Sequence, residues 1–281
     1  MSNKTLNSNN DITIVTAFFD IGRGNLPQTK HGRVLPHYQH RSVDQYFDFF
    51  KKQAVLDNEM IIYTTKDFAE RIYNIRKDAG HEFKTKVVVL ESYMPNGLED
   101  IKTKVSAIMD SPDYYNKVVN PQLIEYWHAD YVLVNIFKSL YVCHAIANDY
   151  ITSPVTAWID FGYCRTDTTV PPSKKWTYNF DPEKIHFFNI KEIDEERPID
   201  DIIYTGDVYI QGCHMVAGTK KWELVKDLVL GSLNILLKNN LIDDDQTLLL
   251  MSYMTKPEEF ELRYVDPKDW FIMFKDYNLN V

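Results

Sequence analysis

Cysteine is scarce in this chain. Cys143, Cys164 and Cys213 are odd in number, far apart and never in a C-x-x-C pair. That speaks against a zinc knuckle or a disulfide framework and for a reducing compartment. Excess positive charge is missing as well. A formal net charge of −9 argues against a duplex nucleic-acid binder, which carries a basic footprint. It leaves room for a phosphorylated small ligand, which needs only local positive charge. No stretch reaches the roughly 18 uninterrupted apolar residues of a membrane span. Residues 1–11 are polar and lack the apolar segment of a signal peptide. The expectation is a soluble cytoplasmic protein, with peripheral membrane contact left open. Internal repeats and low-complexity linkers are absent too, which favours one compact domain.

What is present reads as alternating strands and helices. A length of 281 residues with 44% hydrophobic content is enough to bury a sizeable core. Aromatics make up 14%, which suits stacking on bases and sugars and suits a bulky core equally well. Residues 12–19, Ile-Thr-Ile-Val-Thr-Ala-Phe-Phe, form a strong first strand. The loop Asp20-Ile21-Gly22-Arg23-Gly24-Asn25 follows at once. Its glycines allow close backbone approach, and Arg23 offers a planar fork for phosphate oxygens. A solvated turn arginine is the plainer alternative. Residues 25–40 read as a loop whose His31, His37 and His40 lack the spacing of a zinc site. Helical spacing covers 41–56, strands cover 60–63 and 86–90, and Asp67 is placed to cap a helix over 67–77. That alternation predicts a parallel sheet with right-handed crossovers.

Residues 123–147 read as one long helix, apolar nearly all round and therefore buried. Asn135 and Lys138 lie on one stripe of it. A buried lysine needs a partner, either a nearby carboxylate or a ligand phosphate or sugar beside Asn135. The apolar run Val155 to Phe161 carries Asp160 at its end, followed by Gly162 and Arg165. Ligand crevices of open α/β sheets lie outside such strand ends, although a strand-end aspartate can simply cap the next turn. Further strands are expected at 186–190, 208–218 and 260–264, with an amphipathic helix over 220–239. Gly212 and Gly218 inside a strand mark a bulge or a close approach to a ligand. Asp243-Asp244-Asp245-Gln246 opens a last helix.

Four segments carry a resemblance: Thr16-Ala17-Phe18-Phe19-Asp20-Ile21-Gly22-Arg23-Gly24, Met60-Ile61-Ile62-Tyr63-Thr64, Asn135-Ile136-Phe137-Lys138 and Trp158-Ile159-Asp160-Phe161-Gly162. Through them residues 11 to about 265 resemble the HtrL/YibB family of bacterial proteins, which occurs with surface-polysaccharide genes and looks related to GT-A glycosyltransferases. The resemblance implies an α/β, GT-A-like single domain over 1–281, with a mixed, mostly parallel central sheet flanked by helices. About 11–160 would bind the nucleotide sugar and about 161–281 the acceptor. It places Thr16, Ala17, Phe18 and Arg23 near a uridine, with Tyr63, Asn135, Lys138, Gly162 and Gly212 also on the nucleotide sugar. Asp160 would stand where a DxD motif holds Mn²⁺ or Mg²⁺, with Gly162 in place of the second acid. His214 is an additional candidate ligand, or else a hydrogen-bonded core histidine. Asp244 and Asp245 would be the catalytic base or sugar-binding carboxylates, or else a helix N-cap.

The implied activity is transfer of a hexose from a nucleotide sugar, UDP-linked, to a glycan or lipid-linked acceptor. The setting would be O-antigen (lipopolysaccharide) or capsule synthesis, in the cytoplasm or peripheral to the inner membrane. Two alternatives stay open: a nucleotidyltransferase making a nucleotide sugar, and a non-catalytic nucleotide- or carbohydrate-binding protein.

Overall fold

The computed structural model describes residues 11–279. Seven segments pair into one sheet: β1 (Ile12–Phe18), β2 (Met60–Thr64), β3 (Thr85–Val89), β4 (Val155–Ile159), β5 (Ile185–Asn189), β6 (His214–Gly218) and β7 (Phe260–Tyr264). Their order across the sheet is β3-β2-β1-β4-β6-β5-β7. Strands β3, β2, β1 and β4 are mutually parallel, as are β5 and β7. Strand β6 runs antiparallel to both of its neighbours. The chain thus forms the mixed, mostly parallel sheet flanked by helices that the resemblance implies.

Burial explains why these residues are strands. β2 and β4 are buried at every position and β1 at all but one, as expected for parallel strands covered on both faces. Alternation then splits their side chains between two helical layers. Val15, Ile61, Tyr63 and Trp158 face a large cluster built from helices α3 (Glu99–Met109), α4 (Ala129–Ile136), α5 (Lys138–Ala147), α6 (Ile199–Thr205), α7 (Trp222–Lys238) and α8 (Asp245–Thr255). Ile14, Ile62, Ala157 and Ile159 face the other side, where α1 (Val43–Gln53) and α2 (Lys66–Asp78) pack. Phe47 and Phe50 of α1 are fully buried there, each worth about 1.5–3 kcal/mol. Phe161, just past β4, stacks on Phe50 with centroids 4.1 Å apart. That contact fixes the turn after β4 against α1. A capping box between Ser42 and Gln45 starts α1 and so fixes the preceding residue, Arg41.

At the amino-terminal edge of the sheet, the fully buried Arg76 of α2 donates to the carbonyls of Ala54 (2.7 Å), Leu56 (2.7 Å) and Asn58 (3.0 Å). It pins the link from α1 to β2.

Three local expectations are corrected. The long helix over 123–147 is instead a 3₁₀ turn, Ile124–Tyr126, followed by α4 and α5, which are divided at Phe137. A run that is apolar all round has no polar phase from which a break can be read. The cap of α2 falls at Thr65, so Asp67 lies in the first turn, where a negative charge complements the helix dipole. The strand expected over 208–218 is regular only from His214. Before it, Gly212 turns the chain toward α5, where its carbonyl meets Lys138. Among the described residues, no helix is long and apolar enough to cross a membrane.

Candidate functional site

Strand order reverses at β1, with β2 on one side and β4 on the other. The crevice at such a switch point lies outside the carboxyl ends of the strands, and the polar cluster is found there. Asp160 follows β4. Its N–H donates to the Cys213 carbonyl (2.9 Å), which extends the ladder by one residue. Its Oδ1 accepts from the Trp158 indole (2.8 Å), two residues earlier on the same face.

Lys138 opens α5 and is only 3% exposed. Its Nζ reaches Asp160 Oδ1 at 2.9 Å, Asp245 Oδ2 at 2.7 Å and the Gly212 carbonyl at 2.8 Å. An ammonium has three donors, and each has an oxygen. Burial works to lower its pKa, but the carboxylates of Asp160 and Asp245 outweigh that and hold it above the usual lysine range. Lys138 is therefore a fixed cation and not a base.

Asp245 sits in the first turn of α8 and is buried. Burial pushes its carboxyl up while Lys138 pulls it back, and it stays above the usual carboxylate value. Gly212 leaves room for that carboxylate in its present position: a Cβ there would lie 2.3 Å from Asp245 Oδ1, and the carboxylate would have to shift. Asp244 caps α8 through Oδ1, which accepts from the Gln246 N–H at 3.1 Å. Burial, then Asp243, raises its proton affinity well above the usual value. Asp243 accepts from Thr247 Oγ1 (2.6 Å) and the Asp244 N–H (2.9 Å), and burial pushes it up to about 7.

Three arginines face this cluster. Arg23 follows Gly22, which adopts a left-handed φ of 80° that favours glycine. It donates to the Gln39 carbonyl (3.1 Å) and the Tyr46 hydroxyl (2.8 Å) and lies over the Tyr131 ring. Arg41 lies over Tyr46. Arg165 donates to the Gly162 carbonyl at 2.5 Å and sits between the rings of Phe49 and Phe271. Burial, then the nearby Arg41, lowers its pKa to about 10. Among the described residues, arginine ion pairs belong to Arg71, Arg197 and Arg263. Among the described residues, Arg23, Arg41 and Arg165 have no carboxylate oxygen within 4.0 Å.

These arginines, with Tyr131, Asn135, Lys138 and Asp160, line two adjoining cavities. One, of about 130 Å³, runs past Ala17, Phe18, Phe19 and Gly162. The other, of about 590 Å³, reaches Gly212, Asp244 and Asp245. Of the residues expected at the site, Ala17, Phe18, Arg23, Asn135, Lys138, Asp160, Gly162, Gly212, Asp244 and Asp245 are thus brought together. Three are not. Thr16 is fully buried in β1, on the sheet face opposite Val15. Tyr63 bonds His144 Nδ1 (2.8 Å) and lines a separate cavity of about 690 Å³ with Tyr93 and Tyr141. His214 packs in the core against Phe188 and Tyr163, with ring centroids 4.3 Å and 5.3 Å away. Burial, then Lys138, drives its pKa down to about 3. Period two along β6 puts it on the face of Val216, away from Trp158 and Asp160. Arg41 carries no signal in the sequence, and Arg165 stands there only as the arginine after Gly162, without a role.

The donor set does not fit the divalent cation that the resemblance implies. Asp160 Oδ1 already accepts two donors, and Asp245 Oδ2 accepts Lys138. His214 points elsewhere. Among the described residues, no group of three or more His, Cys, Asp or Glu is placed to hold a metal ion.

Residues 10–278 match the family model described as a bacterial protein of unknown function, HtrL_YibB. The chain belongs to the HtrL_YibB family. Protein HtrL of Escherichia coli (strain K12) is 36% identical over 273 residues, spanning 95% of this chain and 93% of that protein. Among solved structures, the PaToxG glycosyltransferase aligns with 88% of this HtrL_YibB chain and 70% of its own, at 12% identity and a TM-score of 0.36. The 4-diphosphocytidyl-2C-methyl-D-erythritol synthase of Anaerococcus prevotii DSM 20548 aligns with 97% of this chain and 91% of its own, at 14% identity and a TM-score of 0.33. Likeness at that level carries no argument about activity.

Proposed function

We propose that this HtrL_YibB chain is a glycosyltransferase that moves a hexose from a nucleotide sugar, UDP-linked, to a glycan or lipid-linked acceptor. The observation that carries the reading is the crevice itself. Arg23, Arg41, Arg165 and Lys138 converge at the switch point of an α/β sheet, and buried acids stand at the far end of the same space.

In the reaction, the bond from the sugar anomeric carbon to the diphosphate oxygen breaks and its electron pair leaves with the diphosphate. The acceptor oxygen bonds the anomeric carbon and gives up its proton. Fixed cations aimed at the leaving group stabilise the charge that develops there. Lys138 is held in place for this by Asp160 and Asp245. Asp244 takes the acceptor proton. It lines the cavity, and in its ionised form burial makes it a stronger proton acceptor than a solvated carboxylate. In this scheme residues 11–160 bind mainly the donor and 161–281 the acceptor. A role in O-antigen or capsule assembly, in the cytoplasm or at the inner-membrane surface, goes with such an acceptor.

The test is a thermal-shift screen of UDP, GDP and CMP sugars, since a ligand that binds the folded state raises its apparent stability. Donors that respond are then followed by a UDP-release assay. The expected outcome is a UDP-sugar response, with release abolished by Asp160→Ala while the protein stays folded. Pyrophosphate release from UTP and a sugar phosphate would move the assignment to nucleotidyl transfer. A folded, fully active Asp160→Ala protein would remove Asp160 from the chemistry.

A further inference from the structure

We propose that Arg23, Arg41 and Arg165 form the cradle for the donor diphosphate, and that Lys138 occupies the place of the divalent cation, so that the diphosphate binds without metal. The proposal rests on the nucleotide-sugar reading above and gives its site a metal-free chemistry.

The first ground is convergence. The three guanidinium groups come from separate segments: the turn after β1, the residue ahead of the α1 cap and the turn after β4. All three line both cavities. Their protein contacts are neutral ones: the Gln39 and Gly162 carbonyls, the Tyr46 hydroxyl and the faces of Tyr131, Tyr46, Phe49 and Phe271. Neutral contacts hold a planar fork in position without cancelling its charge. Like charges gathered in a partly buried space repel, and the nearby Arg41 helps lower the Arg165 pKa. A bound polyanion relieves that repulsion, and the guanidinium fork matches phosphate oxygens two at a time.

The second ground is the seat of Lys138. Two carboxylate oxygens and one carbonyl oxygen surround it at 2.7–2.9 Å. Those are hydrogen-bond lengths, longer than the roughly 2.0–2.1 Å of Mg²⁺–oxygen contacts. An oxygen cage of this kind is what a hard cation would need, and an ammonium fills it. Four cations set against the two carboxylates that Lys138 bridges, and against Asp20 at the exposed edge of the smaller cavity, leave an excess of positive charge, which complements a doubly charged nucleotide-sugar diphosphate. Glu125 and Asp244, the other acids on the larger cavity, are pushed toward their neutral forms by burial.

Isothermal titration of the full chain with UDP and with inorganic pyrophosphate, each in EDTA and in Mn²⁺, tests the proposal. Both ligands are expected to bind in EDTA, with Mn²⁺ changing the affinity by less than about tenfold. Arg41→Gln and Arg165→Gln should each weaken binding by roughly 10- to 100-fold with circular dichroism unchanged. Arg41 is the safer variant, because Arg165 also packs between two rings. Binding that appears only with Mn²⁺ overturns the cradle and leaves the nucleotide reading intact. Wild-type affinity in both arginine variants also overturns it. Pyrophosphate binding without any nucleotide binding supports the cradle and removes the nucleotide-sugar donor. No binding of either ligand in either condition removes both.

Discussion

Replacing Lys138 by methionine keeps most of the buried stem and deletes one charge. The Asp245 carboxylate, only 5% exposed, then loses its ammonium partner, and Asp160 loses one of its two Oδ1 donors. Breaking a buried ion pair from one side costs about 3–5 kcal/mol, because the surviving charge is left desolvated. At about 2.1 cal/mol/K of unfolding entropy per residue, a chain of 281 residues loses about 5–8 °C of Tm for that change. The deficit depends on pH, and its sign is fixed. Burial already raises Asp245, and Lys138 is the main force pulling it down. Without Lys138 its folded pKa rises further. A carboxyl raised on folding holds a proton that the unfolded chain has released. Stability therefore falls as pH climbs from the usual carboxylate value to the raised one. Differential scanning calorimetry of wild type and Lys138→Met at about pH 5 and about pH 8 should show the gap widening at the higher pH. The double variant Lys138→Met/Asp245→Asn should recover more than half of it. A gap below about 2 °C at the higher pH, one that does not change with pH, or no recovery in the double variant would refute the assignment of Lys138 as a buried structural cation.

Gly212→Ala places a Cβ 2.3 Å from Asp245 Oδ1 and must drive that carboxylate off Lys138. Overpacking of about 1–3 kcal/mol should lower Tm by roughly 2–5 °C in a dye-based melt, with weaker UDP binding by titration. Asp243, pushed up to about 7, retains a proton in the fold between about pH 4 and 7 while the unfolded chain loses it. Asp243→Asn should gain stability relative to wild type across that window and hold the gain above it, as read by urea denaturation at both ends. Arg76→Lys gives up a fork that meets three carbonyls. It should cost about 2–4 kcal/mol in urea denaturation and leave UDP affinity unchanged, because Arg76 lies at the opposite edge of the sheet.

Some of this was legible in the chain and some was not, for physical reasons. β1, β2 and β4 stand out because strands covered on both faces are apolar runs with sharp ends. Lys138 stands out because a charge inside an apolar helix must be answered, and the structure answers it with carboxylates. Asp244 and Asp245 stand out because acids ahead of an apolar run read as a helix start. Which face a strand-end residue takes is harder to read. Thr16 and His214 fall one step out of phase with the crevice, and Tyr63 leaves β2 toward the end of α5 that carries His144. A one-residue phase is invisible when both neighbours are apolar. Arg41 and Arg165 look like ordinary turn residues in sequence. Their meeting depends on β1 and β4 lying side by side, and strand order is not written in any single segment.

The Lys138–Asp245 bridge also bears on time. It joins positions 107 residues apart, with the Gly212 carbonyl from a third segment on the same ammonium. Contacts of such separation carry a large loop-closure cost, and this one is expected to close after the sheet has assembled around it. Interactions absent from the folding transition state act on escape from the native state and leave the approach to it alone. A diphosphate gripped at this junction would therefore lengthen the lifetime of the folded chain, slowing proteolysis and irreversible heat inactivation without making refolding faster.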